Sequence, residues 1–269
     1  MSEQNDLLYG AYGRFADAAL ARVRAETFGR DIGQNSWITV DEYERFLAWL
    51  ELEPDARVLE VACGSGGPAR HLAEHARCRV IGIDAHSQGI ETATRLAQAS
   101  SGADRVRFEV ADVDRALPFE DGAFDAIVCI DAINHFRDRA HVFAEWRRVL
   151  RPGGRAVFTD PVVVTGPVTN AELAQRSSIG FFLFVPPGAN ERMIDAAGLR
   201  LVRQEDATEN IALVSGRWHA ARERHADALR ALEGEASFVG VQQFLAVVHR
   251  LTTERRLSRF VYVVEATAR

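Results

Sequence analysis

Val58-Leu59-Glu60-Val61-Ala62-Cys63-Gly64-Ser65-Gly66-Gly67-Pro68-Ala69 decides how this chain is read. A short apolar run stops at a cluster of small residues and reopens as a helix start, the signature of a strand, a tight turn and a helix. Small side chains there let a ligand lie directly against the backbone. The Gly64-x-Gly66-x-x-Ala69 core also meets the loose dinucleotide pattern. The glycines alone therefore leave nicotinamide, flavin and S-adenosylmethionine open.

Two neighbours separate these ligands. Pro68 lies near the first helical turn and has no N–H to give, whereas a pyrophosphate wants those amides. Glu60 ends the strand with a carboxylate, which would repel phosphates and attract a sulfonium and an ammonium. Both favour S-adenosylmethionine as cofactor over a nicotinamide dinucleotide. The alternatives kept open are an NAD(P)-dependent oxidoreductase on a Rossmann fold, opposed also by the lack of a Tyr-x-x-x-Lys pair, and a catalytically silent S-adenosylmethionine-binding protein.

Outward from this turn, short apolar runs alternate with helical patterns. Strands are expected at 57–62, 79–83, 106–110, 124–130 and 154–159, with helices at 69–76, 87–98 and 139–150. This rhythm predicts an α/β, doubly wound parallel sheet with helices on both faces. Upstream, apolar residues at helical spacing in 7–29 and the Thr39/Glu42 capping box before 40–50 predict helices preceding the sheet. Downstream, 161–188 reads as a Pro- and Gly-containing insertion over the sheet edge with an apolar run at Phe181-Phe182-Leu183-Phe184-Val185. A helix at 191–197, a strand at 199–204, helices at 208–232 and 238–257 and a strand at 260–266 complete the reading. The expected division is an N-terminal helical lid (1–50) and a core (51–269) with acceptor-side insertions at 161–190 and 208–257.

Asp84 ends the second strand, 18 positions after Gly66, where a carboxylate can accept from both ribose hydroxyls. Asp112 ends the third, beside Val113, placed to meet an adenine ring. One acidic residue at a strand end usually caps a helix or turn. Three after successive parallel strands line one crevice, because ligands in such sheets bind outside the carboxyl ends.

These residues resemble the class I S-adenosylmethionine methyltransferases. Two further segments match: Leu117-Pro118-Phe119-Glu120-Asp121-Gly122-Ala123-Phe124-Asp125-Ala126-Ile127 before the fourth strand, and Leu150-Arg151-Pro152-Gly153-Gly154 before the fifth. The likeness spans 57–160 and is most similar to enzymes of the sarcosine/dimethylglycine, phosphoethanolamine and natural-product kind. It implies a Rossmann-like seven-stranded sheet with the last strand antiparallel, an N-terminal helical lid and inserted helices near the C-terminus. It also implies cofactor contacts at Glu60, Ala62, Gly64, Asp84, Asp112 and Val113, to which the present reading adds Gly66, Ala85, Ile130 and Trp37. Ala62 stands where many members have glycine.

The acceptor side is expected in Cys129-Ile130-Asp131-Ala132-Ile133-Asn134-His135-Phe136, after the fourth strand. His135 matches an active-site histidine of the phosphoethanolamine enzymes and, with an ordinary value near ~6.5, would serve as a base around neutral pH. Asp131 and Tyr12 are the other catalytic candidates, with Tyr9 a second phenol. Trp37, Phe181, Phe182, Phe184 and Trp218 are candidates for an apolar acceptor pocket.

The bulk properties narrow the partners. A formal charge of -6 disfavours nucleic acid, so the acceptor is expected to be a small molecule. Cys63, Cys78 and Cys129 show no metal spacing and read as reduced thiols of a cytoplasmic protein. No apolar stretch is long enough for a bilayer, so no membrane is expected. No metal is expected either, since His71 and His75 lack a third ligand nearby. The run at Phe181 offers a contact for a homodimer.

Overall fold

The computed structural model describes Tyr12, residues 14–99 and residues 102–267. Tyr9 and the first part of the expected 7–29 helical stretch lie outside the described residues. Strands β1 (Arg57–Val61), β2 (Arg79–Asp84), β3 (Val106–Val110), β4 (Phe124–Cys129), β5 (Leu150–Val164), β6 (Leu199–Asp206) and β7 (Leu257–Ala266) form one sheet in the order β3-β2-β1-β4-β5-β7-β6. Pairings among β1–β5 are parallel, and β7 runs antiparallel between β5 and β6. The α/β, Rossmann-like, seven-stranded architecture expected from sequence is the one observed.

Side-chain alternation explains why the sheet needs helices on both faces. Leu59, Val61, Ile81, Ile83, Ile127 and Phe158 face a core shared with Phe143 and Trp146. Their neighbours Val58, Val80, Ala126, Val128 and Val157 face the opposite core, with Tyr43, Phe46 and Leu72. The covering helices are α1 (Ala18–Phe28), α2 (Val40–Ala48), α3 (Gly67–His75), α4 (Ser87–Gln98), α5 (Arg139–Val149), α6 (Asn170–Arg176), α7 (Ala189–Ala196), α8 (Thr208–Arg224), α9 (Ala226–Glu233) and α10 (Glu235–Thr253). Among them α8 packs against both α1 and α10. They bury a third apolar cluster of Phe28, Trp37, Ile179, Ile211, Val214, Phe244, Leu245 and Val248.

Several boundaries differ from the sequence reading. β5 continues to Val164 because β7 pairs with it beyond Asp160, across a register shift. The helix expected over 208–232 breaks at His225, whose ring nitrogen lies 2.6 Å from Glu26. β7 begins at Leu257 and α10 ends at Thr253. Finally, α6 lies inside the stretch read as irregular. Its signal was a capping box, in which Thr169 accepts from the Glu172 amide while the Glu172 carboxylate accepts from the Thr169 amide.

Strand order reverses between β1 and β4. The turns after β1 (62–67) and after β4 (130–135) therefore flank the crevice where open α/β sheets bind ligands.

Candidate active site

The turn after β1 is built from backbone in the left-handed region: Ala62 at φ 58°, Gly64 at 54° and Gly66 at 72°. Glycine adopts this freely, and Ala62 pays a modest strain for it. A Cβ on Gly66 would fall 2.5 Å from the Phe108 ring, and one on Gly67 would fall 2.3 Å from the Ile32 carbonyl oxygen. The turn is thus closed from beneath by β3 and from above by the 32–33 segment. Asp84, at the end of β2, is buried and accepts from the Gly64 amide at 2.9 Å and the His86 amide at 2.9 Å. Desolvation pushes its carboxyl above the usual carboxylate value, against these two amides, which pull it down.

The other donor-side candidates separate by environment. Val113 is buried, while Ala85 and Asp112 are exposed at the same sheet edge. Asp112 accepts from the Asp114 amide at 3.0 Å. Ile130 packs against the core on the α2–α3 side. Glu60 departs from expectation. It is 4 % exposed, burial pushes its carboxyl up to about 8, and its Oε2 has no partner among the described residues. The standing anion expected there is a neutral acid at pH 7. The orphaned Oε2, the glycine cradle and the carboxylate of Asp84 fit a ligand with an ammonium and a ribose, so the residues present suit S-adenosylmethionine.

Tyr12 lies between the donor turn and the cavity described below, which it also lines. Its hydroxyl would be 3.0 Å from a Cβ on Gly64, its ring is 5.7 Å from that of His86, and its carbonyl accepts from Thr92 at 3.3 Å.

Asp131 requires a larger correction. Arg259, fully buried, donates to its Oδ1 at 2.7 Å and its Oδ2 at 3.3 Å. Thr159 donates to Oδ1 at 2.7 Å and the Trp37 amide to Oδ2 at 2.9 Å. The third nitrogen of Arg259 donates to Glu42 at 2.7 Å, and Asn210 bridges Glu42 to the Trp37 carbonyl. With four donors on its two oxygens, Asp131 has no acceptor capacity left and is a positioning residue. It ties the segment before α2, the end of β4 and α8 into one unit. Trp37 is likewise reassigned from the cofactor to the cap, where it stacks on Phe244 at 6.1 Å and meets Trp218 edge-on at 5.8 Å.

His135 closes the short 3-10 turn Ile133–His135. Its Nδ1 sits 2.8 Å from the Phe181 carbonyl oxygen. A carbonyl can only accept, so Nδ1 carries the proton and the basic lone pair lies on Nε2. Burial chiefly, with help from the Arg176 and Arg139 guanidinium groups, pushes it down to about 4. The expected value near neutrality is not realised, and the ring is neutral throughout the physiological range.

Nearby, a cavity of about 180 Å³ is lined by Asn134, His135, Arg176, Trp37, Phe182 and Trp218, among others. Phe182 belongs to this lining, as expected, but Phe181 points outward, 43 % exposed with Arg137 over its ring. The apolar run is therefore largely turned inward. Arg139, 0 % exposed in its side chain, anchors the segment by donating to Asp160 at 2.6 Å, Asn190 at 2.8 Å and the Leu183 carbonyl at 2.6 Å. Arg176, Arg139, Arg259 and Glu42 were all missed from sequence.

Elsewhere, the three cysteines are buried free thiols. No described helix is long and apolar enough to cross a membrane. His71 and His75 do gain a third neighbour, Glu44, whose Oε1 is 3.0 Å from His71 and 3.7 Å from His75. The same oxygen lies 3.2 Å from Arg30, which supplies its counter-charge.

The strand order, the glycine turn and the carboxylate after β2 define the class I methyltransferase fold. Residues 59–158 match the methyltransferase-domain family. A curated relative, the 27-O-demethylrifamycin SV methyltransferase of Amycolatopsis mediterranei, is 32% identical over 169 residues, 62% of this chain and 62% of that protein. The chain thus spans about three fifths of that relative's length. Among solved structures, the cyclopropane synthase MmaA2 of Mycobacterium tuberculosis superposes with TM-score 0.82 at 17% identity, covering 98% of each chain. Phosphoethanolamine N-methyltransferase 2 of Haemonchus contortus, solved with phosphomonomethylethanolamine and S-adenosylhomocysteine, gives 0.80 at 18% identity, covering 100% of this chain and 61% of that one.

Proposed function

We propose that this chain is a methyltransferase that uses S-adenosylmethionine to methylate an N or O atom of a small metabolite or natural product. The cavity beneath the cap would be the acceptor site. One observation carries the reading: the donor turn, pinned by Asp84, and the cavity lined by His135 meet at the topological switch of the sheet, with Ser65 of that turn in the cavity wall.

When bound, S-adenosylmethionine supplies an already activated methyl group. The rest falls to the chain. Gly64 and Gly66 let the ligand approach the backbone, Asp84 and Asp112 take its ribose and adenine hydrogen bonds, and Val113 packs on the ring. Trp37, Phe182 and Trp218 keep water from the acceptor. Holding donor and acceptor in contact provides much of the rate in such a displacement. His135 Nε2 takes the proton released by an acceptor hydroxyl or ammonium. Asp131 holds the cap in register.

Calorimetric titration tests the reading. S-adenosylhomocysteine should bind with about micromolar affinity, a favourable free energy near ~8 kcal/mol, and NADH should not bind. Binding of NADH alone would return the chain to the oxidoreductase alternative. Binding of S-adenosylhomocysteine without methyl transfer to any small acceptor would support the silent-binder alternative.

A further inference from the structure

We infer that Arg176 is the anchor for a carboxylate on the acceptor, which makes the acceptor a monocarboxylic acid with an apolar body. The inference rests on the cavity being the acceptor site. Arg176 ends α6, is 1 % exposed and lines the cavity. Neither of its terminal guanidinium nitrogens has a hydrogen-bond partner among the described residues. The nearest carboxylates are committed elsewhere, Asp131 to Arg259 and Asp160 to Arg139 and Asn190.

A guanidinium kept charged, unpaired and out of water is costly unless something compensates it. The faces of Arg176 are served by the rings of Phe182, at 4.4 Å, and Phe244, at 5.0 Å. These contacts hold the plane but satisfy none of its N–H edges. What remains is a rigid planar fork of donors at the wall of an apolar chamber, the geometry that pairs bidentately with a carboxylate.

The charge count favours a monoanion over a phosphate dianion. Of the other arginines lining the cavity, Arg24 is paired with Asp31 and Arg222 with Glu233, while Arg14 donates to the Leu232 carbonyl. His135 is neutral, for the reasons given above. One uncompensated positive charge is therefore buried there, Arg14 being exposed to solvent. Trp37, Ile179, Phe182, Trp218, Phe244 and Leu245 supply the apolar lining for the rest of the molecule. Asn134, 0 % exposed with both side-chain polar atoms unpartnered among the described residues, offers one donor and one acceptor to a further polar group.

The test uses 3-phenylpropanoate and octanoate, each beside its uncharged amide, titrated into the protein with and without saturating S-adenosylhomocysteine. Intrinsic fluorescence is the readout, since Trp37 and Trp218 line the cavity. At least one acid should bind about 10- to 100-fold more tightly than its amide. Arg176→Gln should abolish that preference while leaving amide and S-adenosylhomocysteine binding unchanged, and Arg176→Lys should restore part of it. The bound acid should also raise the melting temperature of the wild-type protein and not of Arg176→Gln. Equal binding of acid and amide, no binding of either acid at millimolar concentration, or an intact preference in Arg176→Gln would overturn the inference. Loss of S-adenosylhomocysteine binding by the wild-type protein would instead strike the methyltransferase reading, and the acid titrations without it would still report on Arg176.

Discussion

The two halves of the candidate site are made of different material. The donor half is backbone: a left-handed turn after β1, an Asp84 carboxylate holding the Gly64 amide, and further groups at the ends of adjacent parallel strands. The acceptor half is side chain, contributed by the 34–37 segment, the turn after β4, α6, α8 and α10. A site built from backbone is specified by a short run of sequence and tolerates little change. A site built from distant side chains is specified only by the folded chain, which lets the pocket vary on a constant frame.

The largest expected effect comes from breaking the ion network that joins the halves. Asp131→Ala would strip two of the three guanidinium nitrogens of buried Arg259 of their partner and leave it Glu42 alone, at a cost of about 3–5 kcal/mol. Denaturant unfolding should show it, and cap closure, read as tryptophan fluorescence, should be lost first. A variant as stable as the wild type would show that the halves are not coupled through this network.

Glu60 sharpens the donor side through pH. Its folded carboxyl titrates at about 8, above the unfolded value near ~4.3, so the folded state holds a proton that the unfolded state has released. Stability should therefore fall as pH rises from about 4 to about 8 and level off beyond, by a total on the order of 5 kcal/mol. Glu60→Gln should remove this slope and be the more stable protein at alkaline pH. Parallel stability curves for the two proteins would refute the assignment.

His135 sharpens the acceptor side. His135→Ala should lower turnover about 100-fold, near 3 kcal/mol of barrier, with S-adenosylhomocysteine affinity unchanged. Since its ring is pushed down to about 4, the base is lost only as pH falls toward that value, and kcat/KM should stay flat through pH 6.5. An inflection at 6.5 in the wild type that disappears in the variant would contradict the neutral histidine.

The smallest effect tests the turn itself. Ala62→Gly relieves a left-handed alanine, worth about 1–2 kcal/mol, against about 0.4–1 kcal/mol of added unfolded-state entropy. A net gain near ~0.5 kcal/mol in thermal unfolding is expected, and a loss would show that the methyl group packs usefully.

The same contrast explains what the sequence disclosed. The β1 turn, Asp84, Asp112 and His135 were legible because strand ends fall at predictable positions and parallel pairing brings them together. The partner of Asp131 was not, since Arg259 lies 128 residues away and Glu42 lies 217 residues from Arg259, distances at which no spacing rule operates. Arg176 hid in a helix whose capping box stood in plain view, because a basic residue in a last helical turn usually just complements the dipole. Glu60 was correctly placed but wrongly charged: residue type announces a carboxylate, and only burial reveals the acid.

The central claim is that the crevice between the turns after β1 and β4 receives a sulfonium cofactor. A crystal structure of the protein grown with S-adenosylhomocysteine tests this most directly. The account predicts the ribose on Asp84, the adenine beside Asp112 and Val113, and the sulfur facing the cavity that contains His135 and Arg176. Density for the ligand anywhere else, or a crevice that admits a dinucleotide diphosphate and not S-adenosylhomocysteine, would contradict it.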